Sequence, residues 1–238
     1  MKQTIKTGFA ALLLLLVISC KKESSTVQSS DITSLSVTQD FSTDNRVLAG
    51  HTVKIGKQVW LTKNVDVSHY KNGDRIPQVK NPAAWASLTT GAWCWFNNDS
   101  TTDATYGKLY NWYAVTDPRG LGPIGWHIPS YEEWTTLFTF LGGPRVAGGR
   151  MKEAGTLHWA APNSDATNLS GFTGLGIGRR FPDGTFHSFG YEGWWWATTE
   201  YVGNSELAMA LVLFSEPRQG GTIGIGKLGG FSVRCIRD

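Results

Sequence analysis

Eleven tryptophans, the first at position 60 and the last at 196, constrain this chain more than any other feature. An indole removes a large apolar area from water, and its N–H needs a partner once buried. The same region is rich in glycine, with 28 in the whole chain, and glycine supplies tight turns. Large rings joined by frequent turns suit a loop-rich fold of short strands better than a helical bundle. Residues 51–238 are enough for one domain with a sizeable core.

The tryptophan-free start reads differently. Lys2 and Lys6 precede an apolar run from Gly8 to Ile18 that includes five consecutive leucines. This is the length of a signal-peptide core and is too short to cross a bilayer, which takes about 20 residues. The run closes on Leu16-Val-Ile-Ser-Cys20, which resembles the bacterial lipobox. Residues 1–19 are therefore expected to be a lipoprotein signal peptide, and Cys20 the lipidated residue that ties the chain to a membrane. More than one acyl chain on that residue gives stable anchoring, where a single chain is marginal. No aspartate follows Cys20 directly, which favours the outer membrane, and surface exposure is a further step. Residues 20–50 are rich in Ser and Thr without hydrophobic periodicity and read as a flexible tether.

Residues 1–19 hold two lysines and no acid, so the remaining chain has 20 basic and 19 acidic residues. That balance gives no electrostatic footprint for nucleic acid. Two further cysteines, Cys94 and Cys235, form an even pair in an exported chain and suggest a disulfide, with two buried thiols as the alternative.

Local signals are clearest at four places. His51–Leu61 alternates apolar and polar residues around Gly56, as a hairpin does. Asn72-Gly73 is a turn signal. Tyr106, Leu109, Tyr110 and Tyr113 recur at helical spacing, which predicts a helix over 105–115. Ser130-Tyr-Glu-Glu133 is a capping box, and Trp134, Leu137, Phe138 and Leu141 then share one helical face, with Gly142, Gly143 and Pro144 ending the helix. Strands are expected at 93–96, 181–189, 194–199, 208–214 and 231–236.

The ordered residues resemble a known family. Val53-Lys-Ile-Gly-Lys-Gln-Val-Trp60, Asn64, Cys94-Trp-Phe-Asn-Asn-Asp99 and Tyr106–Val115 are similar to the Fibrobacter succinogenes major paralogous (FISUMP) domain. Gly125-Trp-His-Ile-Pro-Ser130, Asn168-x-Ser-Gly-Phe172 and Gly230–Asp238 continue the likeness, which covers 51–238. The resemblance implies an α+β, C-type lectin-like fold: two helices, a twisted antiparallel sheet with long loops, and paired terminal strands. Some members carry a cysteine before the Pro of the Gly-Trp-His segment. Here that position is Gly122, which favours Cys94–Cys235 if a bridge exists.

The family likeness brings little chemistry. Formylglycine-generating oxidases, enzymatic relatives of the fold, use a cysteine pair at a cleft, but Cys94 and Cys235 sit in core-like strands. Gly224-x-Gly-x-x-Gly229 has the dinucleotide spacing but leads into a strand, so its glycines read as loop and turn residues and no cofactor is expected. Glu216-Pro-Arg218 lacks the neutral oxygens of a lectin calcium site. Asn97, Asn98, Asp99 and Asp103 are a better oxygen cluster for calcium, with an Asx-rich turn as the ordinary reading. His127 and Glu200 have no matched catalytic partner, and no enzyme is expected. Trp194-Trp-Trp196 is the remaining hint. In a strand, Trp194 and Trp196 face away from Trp195, where they are either covered by loops or free to bind a sugar ring or a partner protein. The expectation is a non-catalytic envelope lipoprotein with a glycan or protein ligand, or else a structural or assembly protein of the envelope.

Replacing Cys20 by alanine is expected to abolish palmitate labelling and to release the chain from the membrane fraction. Retention of Cys20→Ala in membranes, with no label on the wild type, would remove the anchor.

Overall fold

The computed structural model describes residues 51–216 and 219–238. The expected signal peptide, Cys20 and the tether lie outside the described residues.

The chain opens with β1 (Thr52–Ile55) and β2 (Gln58–Leu61), an antiparallel hairpin that turns at Gly56 with φ 61°. Then come α1 (Pro82–Ala86), β3 (Trp93–Cys94), α2 (Asp103–Tyr106), β4 (Leu109–Tyr110), α3 (Trp112–Val115) and β5 (Trp126–His127). Helices α4 (Tyr131–Phe140) and α5 (Pro144–Met151) follow. The rest is β6 (Arg179–Arg180), β7 (Phe186–His187), β8 (Glu192–Glu200), β9 (Leu207–Phe214), β10 (Gly220–Gly226) and β11 (Ile236–Arg237). The strands form an antiparallel sheet β1-β2-β11-β5, a second sheet β10-β9-β8, and the pairs β3-β4 and β6-β7. The architecture is α+β with antiparallel sheets, and the N-terminal strand β2 pairs with the C-terminal strand β11 through Trp60 and Ile236.

Helix α4 begins where local chemistry says it should. The Ser130 hydroxyl accepts from the Glu133 amide at 3.2 Å, and the Glu133 carboxylate accepts from the Ser130 amide at 2.8 Å. Gly142, at φ 91°, stops it. Pro144 does more than end α4, because it is the first residue of α5, a position where its missing N–H costs nothing.

Two expectations need correction. The segment 105–115 is not one helix. Gly107 at φ 74° closes α2, and Leu109-Tyr110 leave the helical path to pair with Trp93-Cys94. The Asn111 side chain then starts α3 by accepting from the Ala114 amide at 3.1 Å. Gly224 and Gly226, expected as loop and turn residues, lie in strand β10. Packing favours glycine at two of its positions: a Cβ on Gly220 would sit 2.5 Å from Leu213, and one on Gly224 would collide with the Tyr201 ring.

The expected Cys94–Cys235 bridge is absent, and both residues are free, buried thiols. They belong to different parts of the core. Cys94 packs in the cluster of Trp85, Phe96 and Leu109, and Cys235 in that of Tyr110, Trp126 and Val233. The Cys235 sulfur lies 2.9 Å from where a Cβ on Gly122 would be, so its neighbour is the position without a thiol. Burial pushes both thiols up to about 12, which leaves them unreactive.

The C-terminal segment runs through the middle of the domain. Gly230 exchanges backbone hydrogen bonds with Arg180, Phe231 with Tyr110, and Ser232 with Trp194 and Trp196. Val233 and Cys235 accept from Val65 and Leu61. Between them, the Arg234 guanidinium donates to the Leu61 carbonyl at 2.9 Å, the Phe172 carbonyl at 2.8 Å and Asn64 Oδ1 at 3.0 Å. Arg234 is buried, with the Phe172 ring 4.4 Å from its guanidinium carbon. Its last neighbours are clasped separately. His127 holds Glu133 Oε1 through Nε2 at 2.8 Å and Asp238 Oδ1 through Nδ1 at 2.7 Å.

Arg234→Met would take the guanidinium donors from the Leu61 and Phe172 carbonyls and leave Asn64 Oδ1 with Trp195 alone, and is expected to cost about 3 kcal/mol or more. Exposed Arg237→Met, which loses only a ring contact, would cost about 0.5–1 kcal/mol. Urea midpoints of the two variants should separate clearly, and equal midpoints would refute the central role of Arg234.

The clasp adds a pH dependence. Carboxylates cannot donate, so both ring nitrogens of His127 must, which requires the imidazolium. Burial opposes the charged ring, but the hydrogen bonds and charges of Glu133 and Asp238 outweigh it and raise the pKa. A raised folded-state pKa gives stability that is complete below the unfolded value of about 6.5 and is lost as pH rises through the folded value. Histidine NMR is expected to show His127 titrating above its usual range, and Glu133→Gln to lower it. No change on that substitution would dismiss the clasp.

Candidate ligand-binding face

Strand β8 carries the three consecutive tryptophans between two covered faces. Trp195 packs with Phe172, Trp60 and Trp134, while Trp194 and Trp196 point the other way, as alternation requires. That second face is closed, not open. Trp194 is 4% exposed and Trp196 is fully buried, because Phe231 lies against both, at 5.0 and 4.3 Å between ring centroids. Each indole N–H is satisfied internally: Trp194 by Glu192 at 2.7 Å, Trp195 by Asn64 at 2.9 Å and Trp196 by the Tyr110 carbonyl at 2.8 Å. Trp194 and Trp196 therefore offer no exposed platform, and of the two alternatives for this face the structure shows the covered one.

The stack nevertheless reaches the surface. The Arg179 guanidinium carbon lies 4.4 Å from the Trp194 ring and 4.5 Å from the Phe181 ring. Phe181 in turn stacks on His187, with centroids 4.4 Å apart and planes at 26°. The order from core to solvent is Trp196, Phe231, Trp194, Arg179, Phe181, His187. The hairpin β6-β7 creates its outer end, since Arg179 and His187 are direct cross-strand partners around the Asp183-Gly184 turn. Glu192 Oε2 lies 3.3 Å from Arg179 Nε and supplies the counter-charge.

A second row of rings runs along the same segment. Phe186 meets Phe96 at 5.4 Å, Phe96 meets Phe189 at 5.0 Å, Phe189 meets Tyr106 at 5.4 Å, and Tyr106 meets His158 at 5.4 Å. Phe96 and Tyr106 are buried, and Phe189 rides on them 45% exposed. Tyr191, two residues on, is 59% exposed. The bend that displays them needs Ser188 at φ 64° and Gly190 at φ 79°. The Ala160 amide donates to the Gly190 carbonyl at 2.7 Å, which ties this bend to the loop carrying Leu157, itself 81% exposed. Beside it, His158 Nδ1 pairs with Glu153 at 2.8 Å. These exposed rings and the aliphatic side chain on neighbouring loops form the candidate ligand-binding face.

The other singled-out residues do not join this face as a reactive set. Asp99 accepts from the Thr101 amide and hydroxyl at 2.9 and 2.8 Å, and Asp103 is paired with Lys108 at 2.9 Å. Asn97 and Asn98 take left-handed backbone in the same turn, and the Asn98 amide group donates to the Lys80 carbonyl. The calcium candidates thus serve as turn and cap groups. Among the described residues no group of three or more His, Cys, Asp or Glu side chains is placed to hold a metal ion. Glu200 is paired with Lys227 at 2.5 Å. Gly224 and Gly226 lie in β10, and Gly229 is in the turn after it, which leads into the C-terminal spine. Arg218 and Pro217 lie outside the described residues.

His187 was not anticipated as a site residue. Its signal was present in the hairpin arithmetic: a three-residue Pro182-Asp183-Gly184 loop pairs Phe181 with Thr185 and sets Arg179 opposite His187, so both share one face.

Comparison with known proteins gives one match. Residues 53–237 fit the family described as the Fibrobacter succinogenes major domain. No curated protein and no solved structure matches. With the motif-bearing segments 53–60, 94–99 and 125–130 and residues 230–237 all inside the matched region, the chain belongs to the Fibrobacter succinogenes major domain family.

Proposed function

We propose that this chain is a cell-envelope lipoprotein, anchored through Cys20 to the outer membrane, whose C-type lectin-like domain binds a glycan without catalysing a reaction. The observation that carries the reading is the presence of three exposed rings, His187, Phe189 and Tyr191, within five residues. Two of them rest on interior rings, so they are held in place before a ligand arrives. Preorganised rings lose little conformational freedom on binding, which favours affinity. The lectin-like reading is supported by helices α4 and α5 beside antiparallel sheets and by the pairing of β2 with β11. The non-catalytic reading is favoured by His127, whose two ring nitrogens are both engaged by carboxylates and leave none to accept a proton.

Detergent-solubilised mature chain, applied to an immobilised oligosaccharide array, is expected to bind a restricted set of glycans. Phe189→Ala and Tyr191→Ala should each weaken that binding about tenfold, as truncation of a central aromatic contact does. A blank array together with co-purification of one fixed envelope protein, indifferent to both substitutions, would replace this reading with a structural or assembly role.

A further inference from the structure

His187 is oriented by more than its stack. The Asp183 carboxylate accepts from the Thr185 amide at 2.9 Å and from the Thr185 hydroxyl at 2.7 Å. The same hydroxyl oxygen lies 3.0 Å from His187 Nε2. A hydroxyl has one hydrogen. The two Thr185 hydrogen bonds hold the Asp183 pKa below its usual value, so this carboxylate is ionised and can only accept. The Thr185 hydrogen is therefore spent on Asp183, and Thr185 can only accept from His187. In a neutral imidazole the hydrogen bond made by one nitrogen sets the role of the other. With the hydrogen on Nε2, Nδ1 is a bare acceptor on an exposed ring.

We infer that His187 is the orienting contact for an oligosaccharide: the imidazole, stacked on Phe181, offers its outer face to the C–H face of one pyranose ring, and Nδ1, whose lone pair lies in the imidazole plane, accepts a hydroxyl from the adjoining ring of the same glycan. An oligosaccharide matches this geometry because its rings combine an apolar face with hydroxyl donors at the rim. The Arg179 guanidinium beneath Phe181 and the Asp183-Thr185 pair at the edge fix both the plane and the tautomer, so neither has to be reorganised on binding. This inference rests on the glycan reading above, but its tautomer half does not.

The test has two arms on the detergent-solubilised mature chain. In the first, the chain is labelled with nitrogen-15 histidine, and ring nitrogen shifts report the tautomer of neutral His187. The Nε2–H form is expected to dominate, and Thr185→Val, which removes the acceptor, should raise the Nδ1–H share about threefold. An unchanged ratio, or Nδ1–H dominant in the wild type, overturns the inference. In the second arm, the oligosaccharide array is probed with His187→Phe, which keeps a ring for stacking, and with His187→Ala, which does not. Phenylalanine should weaken binding about tenfold and alanine further, since a site that loses a hydrogen-bond acceptor leaves the ligand hydroxyl unpaired. Wild-type affinity in His187→Phe overturns the inference while leaving the glycan reading in place. A wild-type blank on the array removes the sugar altogether, whatever the tautomer arm returns.

Discussion

The hydrogen bonds that converge on Arg234 and Asn64 hold the rest of this structure together. Asn64 uses its full capacity: its amide group donates to the Tyr106 carbonyl and Ser232 hydroxyl, and its oxygen accepts from Trp195 and Arg234. Arg234 extends the same node to β2 and to the Phe172 loop. A chain with short strands leaves many carbonyl groups outside regular ladders, and each needs a donor once buried. A guanidinium supplies several donors from one side chain. Arg180 repeats the solution, donating to the carbonyls of Gly184, Val79 and Lys80 at 3.0, 2.6 and 2.8 Å. Lys152 does so for Ser164, Phe214 and Ser215.

These cations are buried among carbonyl dipoles and ring faces. Arg180 lies 4.3 Å from Trp85 and 4.8 Å from Phe186, and Lys152 lies 5.6 Å from Trp159. Burial still has a cost, seen in the Lys152 ammonium, which is pushed down to about 8. The tryptophans thus do two jobs. They fill the core, and their faces lower the cost of the charges that saturate the loops. The same pairing of ring and cation, continued outward through Arg179 and Phe181, produces the exposed end of the stack at His187. The candidate site is built from the same interaction as the core, with its last layer left open to solvent.

What was legible in the sequence was whatever depended on near neighbours. The hairpin around Gly56 and the capping box at Ser130 are complete within a dozen residues, and both stand as expected. The expected helix over 105–115 failed because apolar residues at helical spacing also occur when two short helices flank a strand, and Gly107 decides between them. Strand β10 was hidden because glycines dictated by Leu213 and Tyr201 carry no periodic signal. The fate of Trp194 and Trp196 was set by Phe231, a residue from the far end of the chain, so alternation could predict their side but not their cover. The cysteine pair failed for the same reason: Cys235 faces Gly122, and pairing is a matter of which loop arrives opposite.

The placement of the C-terminal spine also bears on how the domain can use its loops. Gly230 to Asp238 is bonded on both sides to β8, β4, β6, β2 and β5, so these elements cannot shift relative to one another without breaking several backbone hydrogen bonds at once. The bend at 188–191 is different. Its backbone is tied by Gly190 to Gly176 and Ala160 and by Tyr191 to Ser215, it takes left-handed conformations at Ser188 and Gly190, and Phe189 and Tyr191 are exposed. A bend held by its backbone while its outer side chains face solvent is the arrangement that lets a surface vary those side chains without loss of the fold. Stability and the proposed recognition are thereby separated in this domain. The buried arginines and tryptophans carry the first, and the hairpin end at His187, Phe189 and Tyr191 is left free for the second.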